Sequence, residues 1–209
     1  MPNYVIKGEK VGFAPLNREN LDKFRKWLND LEVNKYTTLF GTVLTAEKEE
    51  EWYENQSKQD DLCFFTIYSL KEDVPIGNCS LTGLEHKDRR GELGIVLGEK
   101  EYWNRGMGTE SVRLLTDYGF TVLNLHSIRL QLKGFNKRAL RAYEKAGYKI
   151  AGEWRDYWYI NGSYYNSILM DILDEEFYRE NDSLIEEQYM GDIEKTYKRG
   201  RPRKEEKGN

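Results

Sequence analysis

Two glycines one residue apart, Gly106 and Gly108, lie in the segment Asn104-Arg105-Gly106-Met107-Gly108-Thr109. An apolar run over residues 92–97 precedes this segment, and a helical pattern follows it. Glycine lets a backbone approach a ligand closely, and the first amides of a helix have no internal partner. The helix dipole adds positive potential, so the segment could bind an anion such as a pyrophosphate. An ordinary glycine-rich turn between a strand and a helix would show the same pattern.

Two other kinds of site are disfavoured by the residues present. The segment is not G-x-x-x-x-G-K-[ST], which argues against a nucleoside-triphosphatase, and it lacks the third glycine of a dinucleotide fingerprint. The chain has only two histidines, and its two cysteines, Cys63 and Cys79, lie in apolar runs without a partner motif. We therefore expect reduced core thiols in a cytoplasmic protein, with no metal required.

The elements that must position the glycine segment follow from hydrophobic periodicity. Helices are predicted to begin at Asn20, which can cap the first one, after Thr45, at Met107 and at Lys137. Strands are predicted over residues 62–70, 76–84, 92–97, 128–132, 148–158 and 163–173. The last two should pair around the Asn161-Gly162 turn. The order β, α, α, β-β-β, α, β, α, β-β predicts a mixed α/β sheet of the α+β type with flanking helices.

Composition limits the number of domains and the cellular compartment. The chain has 209 residues, of which 39% are hydrophobic and 13% aromatic, enough for one folded core. No apolar run approaches ~20 residues and the N-terminus lacks a signal core, so we expect no membrane contact and a cytoplasmic location. Residues 174–194 carry net −8, whereas 198–209 carry net +4. These shifts predict a domain over 3–175, an acidic helix-prone extension over 176–196 and a basic disordered tail over 197–209.

Two segments could contact macromolecules. Arg199-Gly200-Arg201-Pro202 resembles the core of an AT-hook, which lays arginines into A·T minor grooves. It is either a tether to nucleic acid or a ribosome, or a solvated tail. The dense aromatic stretch over residues 154–165 indicates either strand packing or a contact in a homo-oligomer.

Four features carry a family resemblance. The strand GELGIVL (91–97) leads into the loop RGMG and a helix, and its Glu92 lies fourteen residues before Gly106. The block FNKRALRAYEKAGY (135–148) and the closing hairpin YWYINGSYYNSILMDIL (157–173) follow. In this order and spacing the chain resembles the GNAT acetyltransferase superfamily, in the branch near ribosomal-protein N-terminal acetyltransferases. The stretch DYGFTVLNLH (117–126) and the hairpin are most similar to bacterial spermidine acetyltransferases.

The resemblance implies a GNAT fold, whose central strands splay apart, and acetyl transfer from acetyl-CoA to a small-molecule primary amine. It implies that Tyr143 hydrogen-bonds or protonates the coenzyme sulfur, although a core tyrosine would look the same. Trp103 stands where the family usually has Gln or Arg, and Arg105 could supply that positive charge. The residues implied to contact the coenzyme are Ile95, Val96, Leu97, Trp103, Asn104, Arg105, Gly106, Met107, Gly108, Thr109, Asn136 and Ala139. Asn136 could also cap its helix.

Attack by an amine requires a proton acceptor. A lysine-like amine has a pKa of ~10.4, so only ~1 in 1000 molecules is neutral near pH 7.4. Glu92, near the splayed end of the central strand, is the candidate base. The alternative is a strand-end carboxylate paired with Arg89 or Arg90.

The acceptor is less defined. Glu85, Asp88 and Asp156, with Glu92, could form a cation-attracting mouth for a polyamine such as spermidine, or they are solvated turn charges. The segment KYTTLFGTVLTAEKEEEW (35–52) is acidic only from Glu47 on, unlike the acidic cluster of the spermidine enzymes. A protein N-terminus or an amino sugar therefore stays open as acceptor. A non-enzymatic acetyl-CoA-binding regulator is the remaining alternative.

Overall fold

The computed structural model describes residues 2–56, 58–59 and 62–189. The strands are β1 (Ile6–Lys7), β2 (Val11–Pro15), β3 (Cys63–Ser69), β4 (Val74–Glu85), β5 (Arg90–Leu97), β6 (Ser127–Lys133), β7 (Lys149–Ile160) and β8 (Ser163–Leu173). The helices are α1 (Leu21–Asn29), α2 (Leu31–Asn34), α3 (Ala46–Gln56), α4 (Met107–Thr121), α5 (Lys137–Lys145), α6 (Asp174–Glu180) and α7 (Leu184–Tyr189). The strands form one mixed sheet in the order β1-β2-β3-β4-β5-β6-β8-β7, which confirms the predicted architecture. No helix in the described ranges is long and apolar enough to span a bilayer.

Local signals explain several of these elements. The turn between β7 and β8 has left-handed backbone at Asn161 (φ 49°) and Gly162 (φ 77°), as a two-residue hairpin turn requires. Gly147 ends α5 with φ 99°. Asn20 precedes α1 as expected but does not cap it, because its buried amide donates to the Tyr68 hydroxyl at 2.8 Å instead.

The centre of the sheet is split. β5 and β6 run parallel and pair over only three positions, the last of which is Glu92 with Arg129. Beyond that point β5 stays paired with β4 as far as Leu97, and β6 stays paired with β8 as far as Lys133. The two strands therefore diverge, and the predicted splay is confirmed.

Helices cover both faces of the sheet. On one face α4 and α5 enclose the larger core, in which Leu115 and Ile128 are fully buried. On the other, α1 to α3 enclose a smaller core around Phe24 and Trp27, next to the end of β5. A Cβ on Gly98 would overlap the Trp27 indole, so a glycine is needed for β5 to end this close to α1.

The helices α6 and α7 extend the larger core beyond the last strand. Ile185 is only 2% exposed. The buried carboxylate of Asp117, on α4, accepts hydrogen bonds from the Tyr178 hydroxyl, the Ser183 hydroxyl and the Ile185 amide at 2.8–3.0 Å. The rest of the predicted extension and the predicted basic tail, residues 190–209, lie outside the described residues.

Candidate active site

A cavity of about 520 Å³ occupies the opening between β5 and β6. Its walls come from β5, the segment 103–109, the start of α5 and the residues after α2. Most of the predicted site residues meet here. Those that line the cavity are Glu92, Ile95, Val96, Leu97, Trp103, Asn104, Gly106, Gly108, Thr109, Asn136, Ala139 and Tyr143.

Two predicted coenzyme residues are absent from the described residues that line the cavity. Met107 is 8% exposed and belongs to the larger core. Arg105 is exposed, and its guanidinium lies 5.5 Å from the centre of the Tyr102 ring.

The three predicted acceptor carboxylates are also absent from the described lining. Glu85, the last residue of β4, and Asp88, in the turn that follows, lie 2.7 and 3.8 Å from the guanidinium of Arg90, the first residue of β5. Asp156 has a left-handed backbone (φ 50°) within the irregular part of β7, where its amide donates to Asn166. Within the described ranges no cluster of three or more His, Cys, Asp or Glu side chains could hold a metal ion.

The glycine segment has the geometry of an anion site. Asn104 (φ 61°) and Gly106 (φ 83°) are both left-handed, and Gly106 starts α4 without any side-chain cap. The first amides of α4 are thus available to a ligand. Lys10, in the turn between β1 and β2, places its ammonium 3.4 Å from where a Cβ on residue 106 would be. Its backbone amide donates to Glu110 of α4 at 2.8 Å, which fixes the turn beside the segment.

Arg138 supplies a second positive charge, held against the ring of Trp103. The Trp103 indole N–H donates to the Leu97 carbonyl at 2.8 Å, and its ring lies 3.5 Å from the Arg138 guanidinium. Arg138 lines the cavity, and partial burial lowers the pKa of its guanidinium. Sequence reasoning missed Arg138, although it lies in the block 135–148. The signal available was its position two residues after Asn136 on the same helix.

Tyr143 projects from α5 into the cavity wall and is 7% exposed. Burial raises its pKa to about 12. Among the described residues its hydroxyl has no hydrogen-bond partner, and its ring lies 6.1 Å from that of Tyr148. The hydroxyl therefore stays protonated near neutral pH and can donate to an anion in the cavity.

Glu92 lies at the last paired position before β5 and β6 separate. Its side chain is 46% exposed, and one carboxylate oxygen is 3.6 Å from Nε of Arg129. This partner differs from both arginines considered from the sequence. Arg89 donates to the Asn124 carbonyl, and Arg90 bonds Glu85.

Asn136 caps α5 and also lies at the cavity. Its side-chain oxygen accepts from the Ala139 amide at 3.1 Å and so caps α5, while the residue itself lines the cavity. The cap leaves the amide nitrogen for a ligand. Sequence reasoning gave no signal for Tyr36, Thr37 and Thr38, which close the cavity from the segment after α2.

Comparison with known proteins agrees with this geometry. The family described as "Acetyltransferase (GNAT) domain" matches residues 10–149. Spermidine N(1)-acetyltransferase of Escherichia coli (strain K12) is 31% identical over 179 residues, covering 82% of this chain and 90% of that protein. An uncharacterized N-acetyltransferase, p20, of Bacillus licheniformis is 26% identical over 81% of this chain and 96% of its own length.

Solved structures show the same fold. The spermidine N-acetyltransferase from Vibrio cholerae in complex with CoA and spermine superposes with a TM-score of 0.74 at 24% identity, covering 82% of this chain and 99% of that one. A GNAT-family acetyltransferase from Bacillus anthracis gives 0.71 at 21% identity, with coverage of 82% and 99%. The chain thus belongs to the GNAT acetyltransferase family and is an acetyl-CoA-dependent N-acetyltransferase.

Proposed function

We propose that the chain acetylates a primary amine of a small polyamine such as spermidine. The observation that carries this proposal is one cavity that is lined both by the glycine segment and by Glu92, where β5 and β6 separate. One end of it suits the phosphates of acetyl-CoA, and the other holds a carboxylate that can receive a proton. The polyamine as acceptor is supported by the 31% identity to the Escherichia coli spermidine enzyme.

In this proposal the coenzyme lies along β5 and the start of α4. The free amides after Gly106 would bind the diphosphate, and Lys10 and Arg138 would supply positive charge on either side. The edge of β5 that faces β6 has no strand partner beyond Glu92 and would pair with the pantetheine amides. Backbone groups alternate along a strand, and Val96 directs its carbonyl towards Gly77 of β4. The Leu97 carbonyl already accepts from Trp103, so Ile95 is the better position for that pairing.

Glu92 would take the proton from the attacking amine. Deprotonating a lysine-like amine at pH 7.4 costs ~4 kcal/mol, and a positioned base commonly contributes ~10²–10⁴-fold in rate. The ammonium of an incoming acceptor would compete with Arg129 for the carboxylate, which is half-exposed and therefore reachable. The proton then passes from Glu92 to solvent.

Tyr143 would stabilise the leaving sulfur. With a pKa of about 12, against ~8.5 for a thiol, full proton transfer from Tyr143 to the thiolate is uphill by roughly 5 kcal/mol. We therefore assign Tyr143 a hydrogen-bond donor role. The carbon–sulfur bond breaks, and the nitrogen keeps the acetyl group and loses its second proton to solvent. CoA leaves as a thiolate that accepts a hydrogen bond from the phenol. A backbone N–H of β5 would bind the oxyanion of the tetrahedral intermediate.

A thiol-release assay over spermidine, spermine, glucosamine and a short peptide with a free N-terminus tests the proposal. We expect turnover with the polyamines well above that with the other amines. If the peptide is acetylated and spermidine is not, the acceptor is a protein N-terminus and not a polyamine. If only glucosamine is acetylated, the acceptor is an amino sugar. Tight acetyl-CoA binding without turnover of any amine would favour the regulator.

We also propose that the chain self-associates through the hairpin of β7 and β8. β7 is at the edge of the described sheet, and Tyr157, Tyr159 and Tyr164 on this hairpin are 49–65% exposed. Sedimentation velocity should find a species larger than a monomer, and replacing Tyr159 and Tyr164 by Ser should dissociate it. A wild-type monomer at micromolar concentration would contradict the proposal. The cytoplasmic location and the nucleic-acid or ribosome contact by residues 197–209 stay predictions.

A further inference from the structure

Lys133, the last residue of β6, is a buried cation without a carboxylate partner among the described residues. It is 3% exposed. Its ammonium donates to the Lys35 carbonyl at 3.1 Å and lies 4.8 Å and 5.3 Å from the centres of the Trp158 and Phe40 rings. Burial lowers the pKa of Lys133. A buried charge is costly unless it is bonded, so the carbonyl and the two rings must supply the compensation.

These contacts join two walls of the cavity. Lys35 follows the last residue of α2, and the next three residues, 36–38, line the cavity. On the other side Gln131 and Leu132, directly before Lys133, also line it. Lys133 therefore connects the strand that forms one wall to the segment 35–40 that covers the opening.

The same segment has a separate anchor on the coenzyme side. The Tyr36 ring lies 6.0 Å from Phe135, 6.5 Å from Trp103 and 5.2 Å from the Arg138 guanidinium. This anchor does not involve Lys133.

Asn34 braces the segment internally, because its amide donates to the Leu39 carbonyl at 3.2 Å and its side-chain oxygen accepts from the Thr37 hydroxyl. Loss of the Lys133 contacts should thus loosen the acceptor side of the segment from the cavity wall, without unfolding it, and leave the coenzyme side in place.

We propose that Lys133 is a positioning residue for the acceptor: it holds the segment 35–40 across the cavity and so fixes Thr37 and Thr38 against the bound amine. The inference rests on the proposed function for its acceptor. It predicts that loss of Lys133 weakens amine binding and leaves coenzyme binding unchanged. A general loss of stability would weaken both.

The test compares Lys133→Met, which keeps the stem and removes the charge, with Lys133→Arg, which keeps the charge and the hydrogen-bond donors. At saturating acetyl-CoA, Lys133→Met should raise KM for spermidine about tenfold, because a desolvated cation–π contact and its hydrogen bond are lost. The value of kcat and the Kd of CoA by calorimetry should stay within about twofold. Lys133→Arg should restore most of the KM. Lys149→Met, an exposed lysine paired with Glu176, is the matched control and should change nothing.

Hydrogen exchange of the amides of residues 35–40, measured without any amine, tests the contact independently of turnover. It should quicken about tenfold in Lys133→Met. If Lys133→Met does not fold, Phe40→Ala replaces it, since Phe40 is 36% exposed, and the same two results are expected.

The outcomes separate the two proposals. An active wild type with an unchanged spermidine KM in Lys133→Met or Phe40→Ala overturns the positioning role. An equal loss of CoA affinity also overturns it. A wild-type protein that acetylates no amine would refute the proposed function but not the contact made by Lys133. In that case faster exchange of 35–40 upholds the contact made by Lys133, and unchanged exchange overturns it.

Discussion

Replacing Tyr143 by Phe removes one hydroxyl from the cavity wall and leaves the ring in place. That hydroxyl has no partner among the described residues, so its removal strands no donor or acceptor of the protein. A hydrogen bond to a charged group contributes about 1.5–3 kcal/mol, which corresponds to a loss of about 10- to 150-fold in the rate of acetyl transfer. The Kd of acetyl-CoA should stay within about twofold, because the bond forms only as the sulfur becomes anionic.

Single-turnover acetyl transfer, followed by thiol release between pH 6 and 9, measures this loss. With a pKa of about 12, Tyr143 is protonated throughout that range, so the ratio of wild-type to variant rates should not vary with pH. Tyr148→Phe is the matched control. Its buried hydroxyl bonds Thr116 at 2.9 Å and does not line the cavity, so the change should lower stability and spare the rate. An unchanged rate in Tyr143→Phe, or a ratio that depends on pH, would refute the donor role.

Three further variants test other parts of the site and its surroundings. Glu92→Gln should lower kcat/KM for the amine by about 10²–10⁴-fold with acetyl-CoA binding intact, and an unaltered pH–rate profile would make Glu92 structural. Arg138→Met should weaken CoA binding in calorimetry by about tenfold, whereas Arg105→Met should change it less than about twofold. A larger loss of affinity in Arg105→Met than in Arg138→Met would instead support the sequence-based prediction that Arg105 supplies the positive charge. Burial raises the pKa of Glu49 from 4.5 to about 7, and one of its buried oxygens has no partner among the described residues. Between these pH values the folded chain binds more protons than the unfolded chain, so stability falls as pH rises. Glu49→Gln should remove this dependence and stabilise the fold by up to about 3 kcal/mol at pH 8 but not at pH 4.5, as measured by urea unfolding; parallel pH curves would refute it.

Local sequence signals were sufficient for the elements that carry the coenzyme site. The glycine segment and the apolar run before it predicted β5 and the start of α4 at Met107. The block 135–148 predicted α5 with Asn136 at its cap. Each of these signals acts over a few residues, through backbone freedom, capping or periodicity. Short elements gave no such signal: β1 has two residues and α2 has four, too few for a period to be seen.

The charges around the site could not be assigned in the same way. Whether Glu92 meets Arg90 or Arg129 depends on the register of β5 against a strand more than thirty residues away. Lys10 reaches the glycine segment only because the turn between β1 and β2 lies beside α4. Arg105 is adjacent to the glycines in sequence but turns outward against Tyr102. Which charged side chain serves a site is decided by tertiary contacts, and spacing alone does not encode them.

The buried carboxylate of Asp117 has a consequence for where the chain can be cut. Its bonds to Tyr178, Ser183 and Ile185 make α6 and α7 part of the folded unit, although the sequence there changes abruptly to acidic. A protein shortened to residue 175 would lose those donors and expose the apolar floor that Ile185 covers. We expect such a truncation to aggregate on expression, whereas one ending after residue 189 should remain monodisperse and active.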